Sequence, residues 1–164
     1  MAVSQRVPRV LWQIIDVNAN RAMEGIRAAE EFVRFGLRDV RLTRQCRHLR
    51  HGIGHSAAQL PGGFTARVAA RDVQRDVGRR AAPRRSRAWA ALLGDNLQRT
   101  KESLRVLEEC ARVIGSSHAA RFQRLRFHAY ALEAAIHRRL AAVRHLGRRR
   151  PARTGRRRSR AGGH

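Results

Sequence analysis

One charged pattern occurs twice in this chain, 78 residues apart. Asn18-x-x-Arg21-x-x-Glu24-x-x-Arg27-x-x-Glu30-Glu31-x-x-Arg34 returns as Asn96-x-x-Arg99-x-x-Glu102-x-x-Arg105-x-x-Glu108-Glu109-x-x-Arg112. Seven of the 17 aligned positions are identical, where such a composition gives about two by chance. All seven are polar or charged, while the apolar positions drift, as at Ile26/Leu104 and Val33/Ala111. Steps of three and four residues return to one side of an α-helix, so each copy reads as a helix with a charged stripe. A repeat of this kind predicts a duplicated helical fold.

The flanking segments extend the duplication. Residues 10–38 read as one long helix, with Ala22, Gly25, Ile26, Ala29, Phe32, Val33 and Gly36 on one side. Asn20, Glu24, Arg27, Glu31 and Arg34 form the opposite stripe. Asp39 to about Leu60 is a second helix, carried by Leu42, Cys46, Leu49 and Ile53 and closed by Pro61-Gly62-Gly63. Residues 64–86 lack a clean period and read as a loop or short strand. Helices over roughly 87–114 and 119–146 follow, separated by Gly115-Ser116-Ser117. His48-Leu49-Arg50-His51 follows the first copy much as Arg124-Leu125-Arg126-Phe127 follows the second. The expected fold is therefore all-α: two similar helical hairpins, about 10–60 and 87–146, joined by a 61–86 loop into a four-helix bundle. Residues 148–164 are Arg/Gly/Pro/Ser-rich with no apolar face, and read as a disordered basic tail dispensable for folding.

Charge limits the partners. The formal net charge is +24, and 35 of the 36 basic residues are Arg, Lys101 being the exception. That skew is what a GC-rich coding sequence produces, which weakens Arg as a functional signal. Such a field favours phosphorylated partners: nucleotides, sugar phosphates, nucleic acid or an anionic surface. Only 5% of residues are aromatic, too few for a base-stacking platform. The run from Val10 to Ile15 is closed by Asp16, too short for a signal core or membrane span. Cys46 and Cys110 read as reduced thiols of a cytoplasmic protein, Cys110 as a small core residue.

Two regions carry candidate chemistry. The stripe is either a solvated face laced with weak Glu–Arg pairs or a functional surface. If both stripes face one cleft, their arginines would clamp phosphates, with glutamates orienting them or holding a metal ion. Arg27 and Arg105 would then point into a shared cleft near the second region, Arg71-Asp72-Val73-Gln74-Arg75-Asp76-Val77-Gly78. Its Asp72 and Asp76 suit Mg²⁺ with a nucleotide or form a charged surface loop. Cys46-x-His48-x-x-His51-x-x-x-His55 does not complete a familiar zinc set, and no zinc is expected. No P-loop, Gly-rich dinucleotide fingerprint or nucleophile elbow occurs.

These motifs occur in a distinctive order. Ile15-Asp16-x-Asn18-x-Asn20-Arg21-x-x-Glu24-Gly25-Ile26-Arg27-x-x-Glu30-Glu31 comes first, followed by Leu49-Arg50-His51. Ala70-Arg71-Asp72-Val73-x-x-Asp76-Val77-Gly78 comes next, and last Asn96-x-x-Arg99-x-x-Glu102-Ser103-Leu104-Arg105-Val106-Leu107-Glu108-Glu109. Over roughly residues 10–140 the chain resembles the helical domain usually fused in front of bacterial thiamin-phosphate synthase. That domain is described as a non-ribokinase-type hydroxymethylpyrimidine-phosphate kinase. Arg75, Arg79 and Cys110 depart from it: the family usually has Gly, Thr and an aromatic residue there.

The resemblance implies ATP-dependent phosphorylation of hydroxymethylpyrimidine phosphate to the diphosphate in thiamin biosynthesis, with ATP and Mg²⁺. On that reading Asn18, Asn20, Arg21, Arg27, Arg50, His51, Arg71, Asn96, Arg99 and Arg105 bind substrate and phosphate. Asp72, Asp76, Glu24 and Glu102 are the catalytic carboxylates, with Asp72 and Asp76 on Mg²⁺. Expected partners are a phosphorylated pyrimidine and a nucleotide, with thiamin-phosphate synthase or a second copy as protein partners and no membrane. One alternative is a non-catalytic helical module of a truncated synthase fusion. Another is a basic nucleic-acid-binding protein using the tail.

Overall fold

The computed structural model describes residues 7–80 and 88–148. Its α-helices are α1 (Arg9–Glu31), α2 (Val40–Ala58), α3 (Gly63–Ala70), α4 (Trp89–Val113) and α5 (Ala119–Arg148). No strand occurs among the described residues. The expected tail, apart from Arg148 at the end of α5, lies outside them.

Helices α1 and α2 form one hairpin, α4 and α5 the other, and α1 packs along α4 while α2 packs along α5. The apolar periods drive this arrangement: Ile15, Ala19, Ala22, Ile26, Ala29 and Val33 are buried on α1 and its extension. Leu42, Cys46, Leu49 and Ile53 on α2 join Leu97, Leu104 and Leu107 on α4, with Phe122, Leu132 and Ile136 on α5, in the same core. Burying such side chains is worth about 1.5–3 kcal/mol each before entropy is counted, which makes this core the main source of stability.

The two repeat copies meet where both are small. Ala22, Gly25, Thr100 and Ser103 are buried at the α1–α4 contact, and they form two pairs of repeat mates at the 78-residue offset. A Cβ on Gly25 would lie 2.5 Å from Thr100 Oγ1 and 2.6 Å from the Asn96 carbonyl oxygen. Only a glycine permits that approach.

Each hairpin is locked by the same repeated carboxylate. Glu30 on α1 accepts hydrogen bonds from Arg47 and Arg50 of α2, both at 3.1 Å. Its mate Glu108 on α4 is fully buried and accepts two from Arg126 of α5, at 2.9 and 3.1 Å. Arg105 and Arg112 of α4 add further bonds to Glu108. Part of the repeated pattern is thereby explained by packing, since a buried carboxylate requires cationic partners.

The hairpin turns differ. The first passes through a π-helical turn, Phe32–Leu37, and reverses at Arg38 with φ 51°. Asp39 caps α2 by accepting from the Leu42 amide at 3.0 Å, and its other oxygen accepts from Arg139 Nε of α5 at 3.2 Å. At the second turn Gly115 has φ 67°, Ser116 N–H bonds the Ala111 carbonyl and Gly115 N–H the Arg112 carbonyl. That is the paired bonding of a left-handed glycine stop.

One element differs from expectation. Residues 63–70 are helical rather than a loop or strand. The period is hidden in the sequence because the buried positions of α3 are Arg67 and Ala70, a cation where an apolar residue would have marked the face.

Candidate active site

A cleft of about 740 Å³ opens between the N-terminal half of α1 and the loop after α3. Helix α1 contributes Val10, Gln13, Ile14, Asp16, Val17, Asn18 and Arg21; the loop contributes Arg71, Asp72, Val73, Arg75, Asp76 and Val77. Five valine and isoleucine side chains make an apolar wall, and the rest of the lining is polar or charged.

The loop is shaped locally. At Arg71 the backbone turns extended (φ −55°, ψ 139°) and ends α3. Asp72 Oδ1 accepts from the Arg75 amide at 3.2 Å, and Asp76 Oδ1 from the Gly78 amide at 2.8 Å. These side-chain turns replace ladder or helix bonds and hold both carboxylates in the lining. They engage one oxygen of each carboxylate.

Beneath the loop lies a buried ion cluster. Asp16 is only 3% exposed. It accepts from Arg71 through Nε at 2.6 Å and Nη2 at 3.2 Å, while Arg67 Nη1 stands 3.7 Å away. The hydrogen bond and charge of Asp16 raise the Arg71 guanidinium above its ordinary pKa; burial lowers that of Arg67. Arg67 Nε is buried without a hydrogen-bond partner. Arg21 and Arg75, by contrast, make no side-chain hydrogen bond or ion pair with any other described residue, which leaves two cations at the cleft for an anion.

Of the expected site residues, the cleft gathers Asn18, Arg21, Arg71, Asp72 and Asp76. The others are not in its lining. Arg27 pairs with Glu31 at 2.8 Å on the exposed face of α1, and Arg105 bonds Glu108 and Glu109 on its own helix. Arg50 is committed to Glu30, and Glu102 accepts from Gln98 at 2.7 Å. Asn96 donates to the Leu92 carbonyl, as its mate Asn18 does to the Ile14 carbonyl. Asn20 is half-buried, while Glu24, His51 and Arg99 are exposed on their helices. The expected convergence of Arg27 and Arg105 on one cleft does not occur. The helices meet through their small-residue faces, which directs the charged stripes outward or onto their hairpin partners.

Asp16, Gln13 and Arg75 line the cleft without having been among the candidates. Asp16 did carry a signal: it lies three and six residues before Ala19 and Ala22, on the face the period assigns to the core. An acid there requires a cationic partner. Among the described residues no three His, Cys, Asp or Glu side chains cluster as a metal site. The donor chemistry of Asp72 and Asp76 nevertheless fits Mg²⁺, which takes one or two carboxylates and completes its shell with phosphate oxygens and water.

Residues 13–135 match the ThiD2 family, a span that includes every lining residue of the cleft except Val10. The chain belongs to the ThiD2 family. This ThiD2 chain is 35% identical over 137 residues to a thiamine-phosphate synthase of Synechocystis sp., covering 82% of this chain and 38% of the relative. Against that of Nostoc punctiforme it is 33% identical over 133 residues, 79% of this chain and 36% of the relative. Against that of Rhodopirellula baltica it is 35% identical over 126 residues, 75% and 33%. The ThiD2 chain thus spans under two-fifths of these relatives. No solved structure matches it significantly. No helix among the described residues is long and apolar enough to cross a membrane.

Proposed function

We propose that the cleft carries the ATP-dependent phosphorylation of hydroxymethylpyrimidine phosphate to the diphosphate, a step of thiamin biosynthesis. The observation that supports this most is the meeting of Asn18 and Arg21 with Arg71, Asp72 and Asp76 across one cleft. Family membership and relatives named thiamine-phosphate synthase support the pathway. In the transfer, the bond between the γ-phosphorus of ATP and its bridging oxygen breaks. A new bond joins that phosphorus to an oxygen of the substrate phosphate, releasing ADP.

The attacking phosphate oxygen is already anionic near neutral pH, so no residue need remove a proton. What the chain must supply is alignment and charge neutralisation. Arg21 and Arg75 would neutralise phosphate oxygens, the amide of Asn18 would orient one phosphate, and Val10, Ile14, Val17 and Val73 would pack the pyrimidine. Asp72 and Asp76 would hold Mg²⁺, which when bound shields the negative charges of the nucleotide. A coupled assay with ATP, Mg²⁺ and hydroxymethylpyrimidine phosphate tests the reading through ADP release; absence of turnover at high protein concentration rejects it.

A second reading is a non-catalytic module joined to a synthase. It is compatible with the same relatives, which are named thiamine-phosphate synthase. It predicts binding of the pyrimidine phosphate without ADP formation in the same assay.

A further inference from the structure

Arg9, Gln13 and Asp16 follow one another at helical spacing on α1, and all three reach the end of α3. Arg9 Nε and Gln13 Nε2 donate to the Ala70 carbonyl at 3.2 and 2.8 Å, and Arg9 Nη2 to the Arg71 carbonyl at 3.2 Å. The last carbonyls of a helix lack intrahelical donors, so these side chains fill a need that α3 creates. Asp16 completes the clasp through Arg67, inside α3, and Arg71, the first residue of the loop.

The two arginines differ in what they can be for. Arg67 is 5% exposed and ties α3 itself to α1. The Arg71 side chain is 42% exposed. Its two bonds to Asp16 satisfy that buried carboxylate and also bring the start of the loop onto α1, directly before Asp72. Asp16 in turn has both oxygens occupied by guanidinium groups, so its contribution to any chemistry in the cleft is indirect. The repeat supplies a natural comparison. The mates of Gln13 and Asp16 in the second copy are Ala91 and Gly94, which cannot clasp anything, and the cleft lies at the first copy.

We propose that Asp16 is a positioning residue: through Arg71 it sets where the Asp72–Asp76 loop stands opposite Asn18 and Arg21. The use of that placement rests on the phosphate-transfer reading above, whereas the placement itself does not.

The test compares the full chain with Asp16→Asn and Arg71→Gln. Hydrogen exchange is followed at the amides of residues 71–78 and, separately, along α2 and α5; affinity for inorganic pyrophosphate with Mg²⁺ is measured by calorimetry. Both variants are expected to exchange the loop amides about tenfold faster with α2 and α5 unchanged, and to bind pyrophosphate about tenfold more weakly. Arg71→Gln leaves the Arg67–Asp16 pair in place, so it keeps the test valid should Asp16→Asn not fold. Unchanged loop exchange in Arg71→Gln, or acceleration spread equally over α2 and α5, overturns the proposal. Faster loop exchange in a protein whose wild type binds no pyrophosphate upholds the positioning role and removes the phosphate-transfer reading instead.

Discussion

Thr100 donates its hydroxyl to the Asn96 carbonyl at 2.9 Å and also lies 3.4 Å from the carbonyl of Ala22, its own repeat mate 78 residues upstream. A residue meets its mate only near the axis relating two copies, so this contact marks where the halves of the bundle face each other. Gly25 sits one turn on, against the same Thr100 hydroxyl.

Gly25→Ala should therefore be poorly tolerated although Ala is the better helix former. Helix propensity favours the change by about 1 kcal/mol. The added methyl, however, would lie 2.6 Å from the backbone oxygen of Asn96, which has no soft side chain to yield. Overpacking of this kind costs about 1–3 kcal/mol. Urea unfolding should show a net loss; a stabilised variant would mean that α1 and α4 separate freely.

The salt bridges of the repeat should divide sharply by burial. Arg126→Ala removes the α5 partner of the fully buried Glu108, which keeps Arg105 and Arg112 of its own helix, so the cost is that of lost charged hydrogen bonds, about 1.5–3 kcal/mol. Arg27→Ala breaks a pair in which both side chains are about half exposed and screened by water, and should leave stability nearly unchanged. Chemical denaturation of the two variants measures the difference.

Acid stability should depend on Glu30. Burial pushes its carboxyl up, but hydrogen bonds and charge from Arg47 and Arg50 outweigh that and hold it below its ordinary 4.5. A carboxyl lowered by folding contributes stability that is complete above the unfolded value. That contribution is lost as pH falls from 4.5 through the folded value. Glu30→Gln should be less stable at neutral pH and should show a shallower decline below pH 4.5 than the wild type, read from thermal melts across that range.

Ligand effects should follow the cleft rather than the repeat. Arg21→Ala and Asp72→Asn should reduce turnover or phosphate affinity by about 10–100-fold, the loss of a charged hydrogen bond of about 1.5–3 kcal/mol. Arg105→Ala, whose guanidinium serves Glu108 and Glu109, should leave turnover within about twofold, in line with surface substitutions generally. Steady-state kinetics on the three variants separates the two patterns.

Cys46 should be inert in the native protein. Burial, with the nearby Glu30 charge, pushes its thiol up to about 12, so almost none is thiolate at pH 8. Iodoacetamide labelling should require unfolding, and native labelling followed by mass spectrometry checks it.

The amino-acid sequence by itself determined the helical hairpins and their duplication. Those depend on spacings within one helix, and a period of three and four residues is written along the chain at Ala22, Ile26, Ala29 and Val33 or at Leu42, Cys46, Leu49 and Ile53. It also supplied the loop acids Asp72 and Asp76 and the α1 residues Asn18 and Arg21. Only the tertiary structure decided which charges do what. Glu30 and Glu31 are adjacent and both repeated, yet one pins α2 while the other meets solvent and Arg27. That choice is made by where a second helix crosses, which no spacing within α1 records. The same holds for Asp16 and Arg67: two ionic residues on apolar faces spoil each helix's pattern when read alone. They make physical sense only once folding has brought them together across 51 residues of chain.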